Sequence, residues 1–166
     1  ANGKDRYIAG QAVPKYYVGG NIKFRYKAFD IQTQLNGAFG HKIFNGTALT
    51  FNHMGNFPTY NVIEGAPERN IYDNRVSDYW LENGNYLNIA YVTIGYNINT
   101  EKFKNWVKSI RVSASVNNLH TFTSYSGLTP MINSSTLDPD NNTFGMDDKR
   151  LYPVARTFSL GLSVNF

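Results

Sequence analysis

The last eleven residues of the chain, 156–166, alternate strictly between apolar and small polar side chains. The apolar positions are Phe158, Leu160, Leu162, Val164 and Phe166, and the polar ones are Thr157, Ser159, Gly161, Ser163 and Asn165. Successive side chains leave a strand on opposite faces, so this period of two predicts a β-strand. One face of that strand suits an apolar environment, and the other suits water or polar contacts.

Four further segments repeat the pattern, at residues 16–26, 29–39, 86–97 and 107–117. The third changes phase near residues 90–91, which a β-bulge would explain. The polar faces are nearly complete, which implies water or a polar plug on that side. The side chains that would line it, and that could hydrogen-bond to a plug or to solute, are Lys23, Arg25, Asp30, Gln32, Gln34 and Arg111.

The connections between these strands are strongly unequal in length. Residues 27–28 and 98–106 form short links, whereas residues 41–85 and 118–155 form long ones. Alternating short turns and long loops are typical of bacterial outer-membrane barrels, with the short turns periplasmic and the long loops extracellular. If the last strand descends to the periplasm, both short links fall on the periplasmic side. The connections therefore predict an all-β, antiparallel transmembrane β-barrel.

The positions of the aromatic residues agree with this topology. In this topology the periplasmic end carries Tyr26, Phe29, Tyr96, Trp106 and Phe166, and the outer end carries Tyr16, Tyr17, Phe39 and Phe158. Two aromatic girdles around an aliphatic band are typical of strands that cross a membrane. Five strands are too few to close a barrel, which needs about eight. We therefore expect the chain, residues 1–166, to be part of a larger barrel.

Composition excludes several other classes. The chain has no run near the roughly 18 apolar residues of a transmembrane helix. It lacks cysteine, so disulfides and thiol catalysis are excluded. The formal charge of +4 comes from scattered residues, so we do not expect nucleic-acid binding. The chain starts at Ala1 without a leader pattern, and we expect a processed product or a fragment.

Several segments resemble one family. Residues 75–87 (RVSDYWLENGNYL) and 92–96 (VTIGY) resemble the SDRWIEDGSYLRLKNLTLGY stretch of SusC/RagA-like TonB-dependent outer-membrane transporters of Bacteroidota. Residues 110–112 (IRV), 117–127 (NNLHTFTSYSG) and 152–162 (YPVARTFSLGL) resemble later motifs of that family. Residues 14–17 and 37–45 match earlier ones. The chain departs from the family pattern at Asn88, His120 and residues 128–131, none of which disturbs the strand pattern.

The resemblance implies that this chain is the C-terminal five strands of an about 22-stranded plugged barrel, with the plug domain and remaining strands absent. It implies an importer of oligosaccharides or peptides that works with a SusD-like surface lipoprotein and contacts TonB through the absent N-terminal part. The expected location is the bacterial outer membrane, in contact with its lipid, with extracellular long loops and a periplasmic C-terminus. Phe166 then resembles the terminal aromatic of the outer-membrane assembly signal.

Aromatic side chains in the long loops are the candidate contacts for ligand or partner. They are Tyr72, Tyr79, Trp80 and Tyr125, whose rings could stack on sugars. The alternative role for them is packing within the loops or contact with the lipoprotein. In addition, Asp138 and Asp140 hint at a calcium loop, but Thr143 and Lys149 stand where an EF-hand needs Gly and Glu. A solvated turn is the simpler interpretation there.

No catalytic site is expected. His41, His53 and His120 lack the spacing of a metal motif, and no nucleophile elbow or phosphate loop occurs. We therefore predict no enzyme activity, no metal and no cofactor. Two other functions stay open: another TonB-dependent receptor, such as a siderophore receptor, and a secreted carbohydrate-binding β-sandwich. The sandwich would need an apolar core between two sheets, which strands with such polar opposite faces supply poorly.

Overall fold

A computed structural model describes residues 6–73, 75–101, 106–132, 145–149 and 151–166. The chain folds as two compact units. We call one the sheet unit; it comprises Tyr17–Gly37, Leu87–Phe122 and Val154–Phe166. We call the other the loop unit; it comprises Ala1–Tyr16, Ala38–Tyr86 and Thr123–Pro153.

Eight strands are present among the described residues. In chain order they are β1 (Tyr16–Tyr26), β2 (Phe29–Phe39), β3 (Lys42–Asn45), β4 (Leu81–Asn83), β5 (Tyr86–Ile98), β6 (Ser109–Thr123), β7 (Met146–Asp147) and β8 (Thr157–Asn165). The five predicted strands correspond to β1, β2, β5, β6 and β8, so the strand prediction is confirmed. These five form one sheet in the order β1-β2-β5-β6-β8.

Strand β6 continues six residues beyond the predicted end of the fourth strand. Its antiparallel ladder with β8 stops at Asn117↔Thr157. There Asn118 takes a left-handed φ of 52°, and its Nδ2 donates to the carbonyl oxygen of Ala155 at 3.0 Å. Beyond that point β6 still neighbours β5, and the Thr121 hydroxyl donates to Asn88 Oδ1 at 3.3 Å. The extension of β6 therefore depends on its neighbour β5, and the alternation of side chains in β6 did not predict it.

The apolar face of this sheet is exposed in the described structure. In the β6–β8 ladder Leu160 lies opposite Ala114, and Leu162 lies opposite Val112. Leu160 is 88% exposed and Leu162 is 70% exposed. The five buried hydrophobic residues among those described all lie in the loop unit, namely Ala38, Ile43, Ala66, Trp80 and Tyr125. The sheet unit therefore has a large apolar face without a cover of its own.

Aromatic residues gather where the short links join the strands. The rings of Phe29 and Tyr96 pack with centroids 4.6 Å apart, and the Asn97 N–H donates to the carbonyl of Ala28 at 2.8 Å. Lys27, in the two-residue turn, holds its ammonium over the Tyr26 ring. The aromatic residues Tyr26 of β1, Phe29 of β2 and Tyr96 of β5 thus lie at the turn end of the sheet, as the sequence pattern predicts.

The loop unit is more ordered than its sequence suggests. It contains helix α1 (Gly46–Phe51), helix α2 (Ala66–Arg69) and 3-10 helices at Met54–Asn56 and Asp78–Trp80. A three-stranded sheet runs in the order β4-β3-β7, with β3 antiparallel to β4 and parallel to β7. Strands of two to four residues are too short to show a period, so alternation cannot predict them. None of the helices in the described residues has the length and apolarity to cross a membrane.

Candidate functional site

The four candidate aromatic residues separate into an exposed pair and a buried pair. Tyr72 and Tyr79 are 66% and 67% exposed, whereas Trp80 and Tyr125 are each 6% exposed. Only the first two have rings that a ligand or partner can reach in this conformation. Direct contact through Tyr72 and Tyr79 therefore stays a prediction, while Trp80 and Tyr125 would act on such contacts only by supporting the loops.

The 3-10 helix Asp78–Trp80 explains how neighbouring aromatic residues have opposite exposure. Tyr79 and Trp80 pack edge to face with ring centroids 4.8 Å apart, so Trp80 in the core supports the exposed Tyr79 ring. Asp78 accepts a hydrogen bond from the hydroxyl of Tyr7, which ties the segment before β1 to this turn. The hydrogen bond to Asp78 and the charge of its carboxylate raise the pKa of Tyr7.

Tyr125 is anchored on a buried carboxylate. Its hydroxyl donates to Asp147 Oδ2 at 2.8 Å, and the Thr47 hydroxyl donates to Asp147 Oδ1 at 2.5 Å. The backbone N–H of Lys149 donates to Oδ1 as well, at 3.2 Å. Burial, the hydrogen bond to Asp147, and the charges of Asp147 and Glu82 raise the pKa of Tyr125, so the phenol stays protonated and remains a donor.

Asn45 connects the remaining loop segments. Its Oδ1 accepts from the N–H of Ala48 at 2.7 Å and caps α1, and its Nδ2 donates to Glu82 Oε1 at 2.8 Å. The Glu82 carboxylate also accepts from the hydroxyl and the backbone N–H of Ser126, each at 2.7 Å. Side-chain hydrogen bonds thus hold four stretches of chain together, near residues 45, 82, 126 and 147.

Sequence reasoning did not single out Asn45, Glu82 or Asp147. Asn45 precedes a short helix and could have been recognised as an N-cap, because Asn is favoured there. Glu82 and Ser126 lie inside segments that carry the family resemblance, but nothing in their spacing shows that they meet. Asp147 has no local signal at all.

A groove of about 300 Å³ lies beside this network in the loop unit. Its lining includes Thr47, Phe51, Asn52, Arg69 and Ser126. Asn52 is fully buried, and its Oδ1 accepts from Arg69 Nη1 at 2.7 Å, which holds the guanidinium in place. The Thr47 and Ser126 hydroxyls and the Asn52 amide already donate within the protein. The Arg69 guanidinium beside the Phe51 ring can still donate to the polar groups of a sugar or a peptide.

The polar face of the sheet unit brings together most of the predicted polar side chains. Lys23, Arg25, Asp30, Gln32 and Arg111 line one groove of about 470 Å³. Arg111 forms an ion pair with Asp30, and Gln32 donates to the Tyr91 hydroxyl. Within the described residues Arg111 Nε is buried without a hydrogen-bond partner. This face is therefore polar and carries more positive than negative charge.

The histidines do not form a metal site in the part of the chain that the structure describes, where no group of three His, Asp or Glu residues is close enough to hold an ion. His41 and His53 are buried, and His120 packs edge to face on Phe122 at 4.5 Å. Burial lowers the pKa of His41, so its neutral form is favoured. The possible calcium loop at residues 138–142 lies outside the described residues.

Curated relatives carry the same kind of name. TonB-dependent receptor P3 of Formosa agariphila is 29% identical over 175 residues, which cover 98% of this chain and 17% of the relative. TonB-dependent receptor SusC of Bacteroides thetaiotaomicron is 26% identical, with coverage of 98% of this chain and 16% of the relative. The chain thus spans about a sixth of the length of these relatives. No protein-family model matches it.

Solved structures show the same fold. The RagAB peptide importer in its closed-closed state superposes with a TM-score of 0.73 at 17% identity, over 95% of this chain and 18% of that one. The open-open state gives a TM-score of 0.69 at 18% identity, over 93% and 17%. The resemblance drawn from the sequence is confirmed: along nearly its whole length, the chain is similar to a part of SusC/RagA-like TonB-dependent receptors. The relatives are receptors and importers by name, not enzymes.

Proposed function

We propose that this chain, which resembles part of the SusC/RagA-like TonB-dependent receptors, forms the C-terminal five strands of such an importer's outer-membrane barrel. The observation that carries the proposal is the five-stranded antiparallel sheet whose apolar face is exposed and whose other face is polar. Lipid would cover the apolar face, and the polar face would line a plugged lumen. Strands β1 and β8 are the edges, and further strands of an about 22-stranded barrel would pair with them.

The lengths of the connections support a proposed orientation of the barrel. Residues 27–28 and 99–108 link neighbouring strands of the sheet at one end, and the C-terminus follows β8 at that end too. We assign this end to the periplasm, because outer-membrane barrels have short periplasmic turns. The two long connections are then extracellular. The plug and the TonB-contacting segment would belong to the N-terminal part of the longer protein.

The proposed transport function is uptake of oligosaccharides or peptides together with a SusD-like surface lipoprotein. Tyr72 and Tyr79 are exposed aromatic side chains in the extracellular connection, and they suit either a glycan or the lipoprotein surface. The groove lined by Thr47 and Phe51 adds the Arg69 guanidinium, a hydrogen-bond donor in the same connection. We propose no catalytic role for any residue of this chain.

A direct test uses the full-length protein that carries this chain, expressed in its own cells. We expect it in the outer-membrane fraction, with a band that shifts on a gel after heating, as closed barrels do. Deleting its gene should abolish growth on one class of glycan or peptide while growth on glucose is unchanged. A protein found only in the soluble fraction would overturn the proposal.

The neighbouring genes separate this proposal from a siderophore receptor. A SusD-like lipoprotein gene next to the receptor, with glycosidase or peptidase genes beyond it, is expected for the SusC/RagA type. Iron-regulated expression without such a neighbour would instead favour a siderophore receptor. The secreted β-sandwich is not favoured by the structure, because the apolar side chains of the sheet have no second sheet against them in the described residues.

A further inference from the structure

A third groove, of about 630 Å³, lies within the loop unit. It is formed by residues close to three strand ends: Lys15 comes just before β1, Lys42 begins β3, and Asn85 comes just before β5. Asn83 at the end of β4, Gln11 and His41 complete the polar lining. None of these residues belongs to the network around Asn45 and Asp147, so the groove is a separate feature with its own chemistry.

The two asparagine amides have a fixed orientation. Asn83 Oδ1 accepts from the backbone N–H of Asn85 at 3.0 Å, and Asn85 Oδ1 accepts from the backbone N–H of Gly40 at 2.6 Å. A backbone N–H can only donate, so it must face the amide oxygen in each case. The oxygen of each amide is thus engaged, and its NH₂ group is left to donate to something else.

The two lysine stems are packed by glycines. A Cβ at Gly40, whose φ is +81°, would lie 3.0 Å from Lys15 Cβ, and a Cβ at Gly10 would lie 3.0 Å from Lys42 Cδ. The absence of a side chain at these glycines lets the stems lie flat against the backbone. Their ammonium groups form no ion pair with any described carboxylate. The stems are therefore supported, while the charges remain uncompensated.

The acidic residues that lie closest in sequence to Asn83 accept their hydrogen bonds from residues outside the groove. Glu82, next to Asn83, accepts its hydrogen bonds from Asn45 and Ser126. Asp78 accepts from Tyr7. No Asp or Glu lines the groove among the described residues. The groove therefore offers two ammonium groups and two amide donors, and its positive charge has no local acidic counterpart.

We propose that this groove binds a phosphate group. Two lysine charges match a phosphate dianion, and the fixed amide NH₂ groups can donate to its oxygens. The phosphate could belong to a soluble molecule or to the headgroup of a membrane lipid. The lipid source rests on the proposed outer-membrane location, whereas the binding of phosphate itself does not. Lys15 is followed by Tyr16, an exposed aromatic residue of the kind that lies at a membrane interface, which is consistent with the lipid source.

The main experiment measures phosphate binding to the full-length protein purified in detergent, by calorimetry with inorganic phosphate in chloride buffer. The double variant Lys15→Gln/Lys42→Gln should bind at least about tenfold more weakly, because each charge-assisted hydrogen bond contributes more than a neutral one. Lys27→Gln is the matched control, since Lys27 lies in the turn between β1 and β2 and lines none of the three grooves, and it should bind like the parent. Equal binding by the double variant and the parent would overturn the proposal.

The amides provide a second, nearly isosteric test. Asn85→Asp keeps an oxygen for the Gly40 N–H but replaces the donor NH₂ with a negatively charged oxygen. The fold should be retained, as judged by the heat-dependent gel shift, while phosphate binding falls by about tenfold or more. Asn83→Asp should act in the same direction. Undiminished phosphate binding in both variants would contradict the proposed role of the amides.

A competition experiment distinguishes the two sources. Short-chain phosphatidic acid and inorganic phosphate are each titrated against the parent and the lysine double variant. Tighter, lysine-dependent binding of phosphatidic acid identifies a lipid headgroup, and tighter binding of inorganic phosphate identifies a soluble phosphate. Lysine-independent binding of both overturns the proposal. A protein that binds phosphate here but is absent from the outer membrane would overturn only the proposed function.

Discussion

At the scale of single residues, Gly95 makes the polar face of the sheet possible. Strand β5 lies between β2 and β6, yet Asp30 on β2 and Arg111 on β6 form an ion pair. The pair can meet only across β5, and a Cβ at Gly95 would lie 2.7 Å from Asp30 Oδ1 and closer still to the Arg111 guanidinium. A side chain at position 95 would therefore occupy the space through which the two charged groups contact each other.

We predict that Gly95→Ala destabilises the full-length protein by about 1–3 kcal/mol, because the added methyl group overpacks the site and displaces the ion pair. Gly20→Ala is the control, since a Cβ at Gly20 meets nothing within 4 Å. Thermal unfolding in detergent measures both. If overpacking is the cause, the effect of Gly95→Ala should shrink in an Arg111→Ala background. Equal costs for the two glycine substitutions would contradict this account.

Tyr125 belongs to the same scale, since one hydroxyl satisfies one buried carboxylate oxygen. Tyr125→Phe keeps the ring but removes the donor to Asp147 Oδ2. A buried carboxylate oxygen without its donor costs about 1–3 kcal/mol, so the loop unit should open more often. Limited proteolysis between residues 123 and 149 should be faster than in the parent. The exposed Tyr79→Phe is the control and should not change the rate; a similar increase there would refute the prediction.

Burial of His41 gives the loop unit a pH dependence. Because burial lowers the pKa of His41 in the folded state, the unfolded chain takes up the proton more readily. Its contribution to stability is thus present above the unfolded pKa of about 6.5 and is lost as the pH falls below that value. Hydrogen-exchange protection around β3 and β4, corrected for the intrinsic pH dependence of amide exchange, should be lower at pH 5 than at pH 7.5. His41→Gln should reduce that difference, and an unchanged difference would refute the assignment.

At the scale of secondary-structure elements, the two faces of β8 have opposite requirements. Leu162 is on the exposed apolar face, and Ser159 is on the other face opposite Ser115. In a membrane barrel the first face meets lipid and the second meets the lumen. The two faces of one strand therefore allow a matched comparison with the same introduced residue.

We predict that Leu162→Arg in the full-length protein costs about 2–4 kcal/mol, the range for a basic residue facing lipid near the bilayer centre. The heat-modifiable, membrane-assembled fraction should fall sharply. Ser159→Arg, on the polar face, should assemble close to the parent level. If both variants assemble equally well, the apolar face of β8 does not face lipid, and the proposed barrel is wrong at this strand.

At the scale of the whole molecule, the chain has little core of its own. Its buried hydrophobic residues among those described lie in the loop unit, and the sheet leaves an apolar face and two edge strands open. A lipid-seeking face and unpaired edges both favour association with other surfaces. In the proposed barrel, neighbouring strands would pair with these edges and lipid would cover the apolar face.

This dependence predicts the behaviour of the 166-residue chain expressed alone. We expect it to aggregate in water, because the exposed apolar face and open strand edges associate. Detergent should keep it dispersed. Size-exclusion chromatography with and without detergent measures this. A monomeric, water-soluble chain would contradict both the membrane location and the barrel.

The five strands of the sheet unit could be predicted from sequence because the side chains of each one alternate between two environments at every second residue. Residues such as Phe158, Leu160 and Leu162 identify the apolar face from their spacing alone, without knowledge of any distant contact. The site residues did not have this property. Trp80 and Tyr125 resemble Tyr72 and Tyr79 as loop aromatics, and only the fold shows that the first two are buried.

The sequence by itself therefore determined the strand pattern, its two faces and the resemblance to SusC/RagA-like receptors. The tertiary structure decided which distant residues meet: Asp30 with Arg111 across Gly95, Tyr125 with Asp147, and Asn45 with Glu82. The physical reason is the range of the interactions. Alternation is a local consequence of strand geometry, whereas a buried hydrogen bond needs a donor and an acceptor that the chain brings together from far apart.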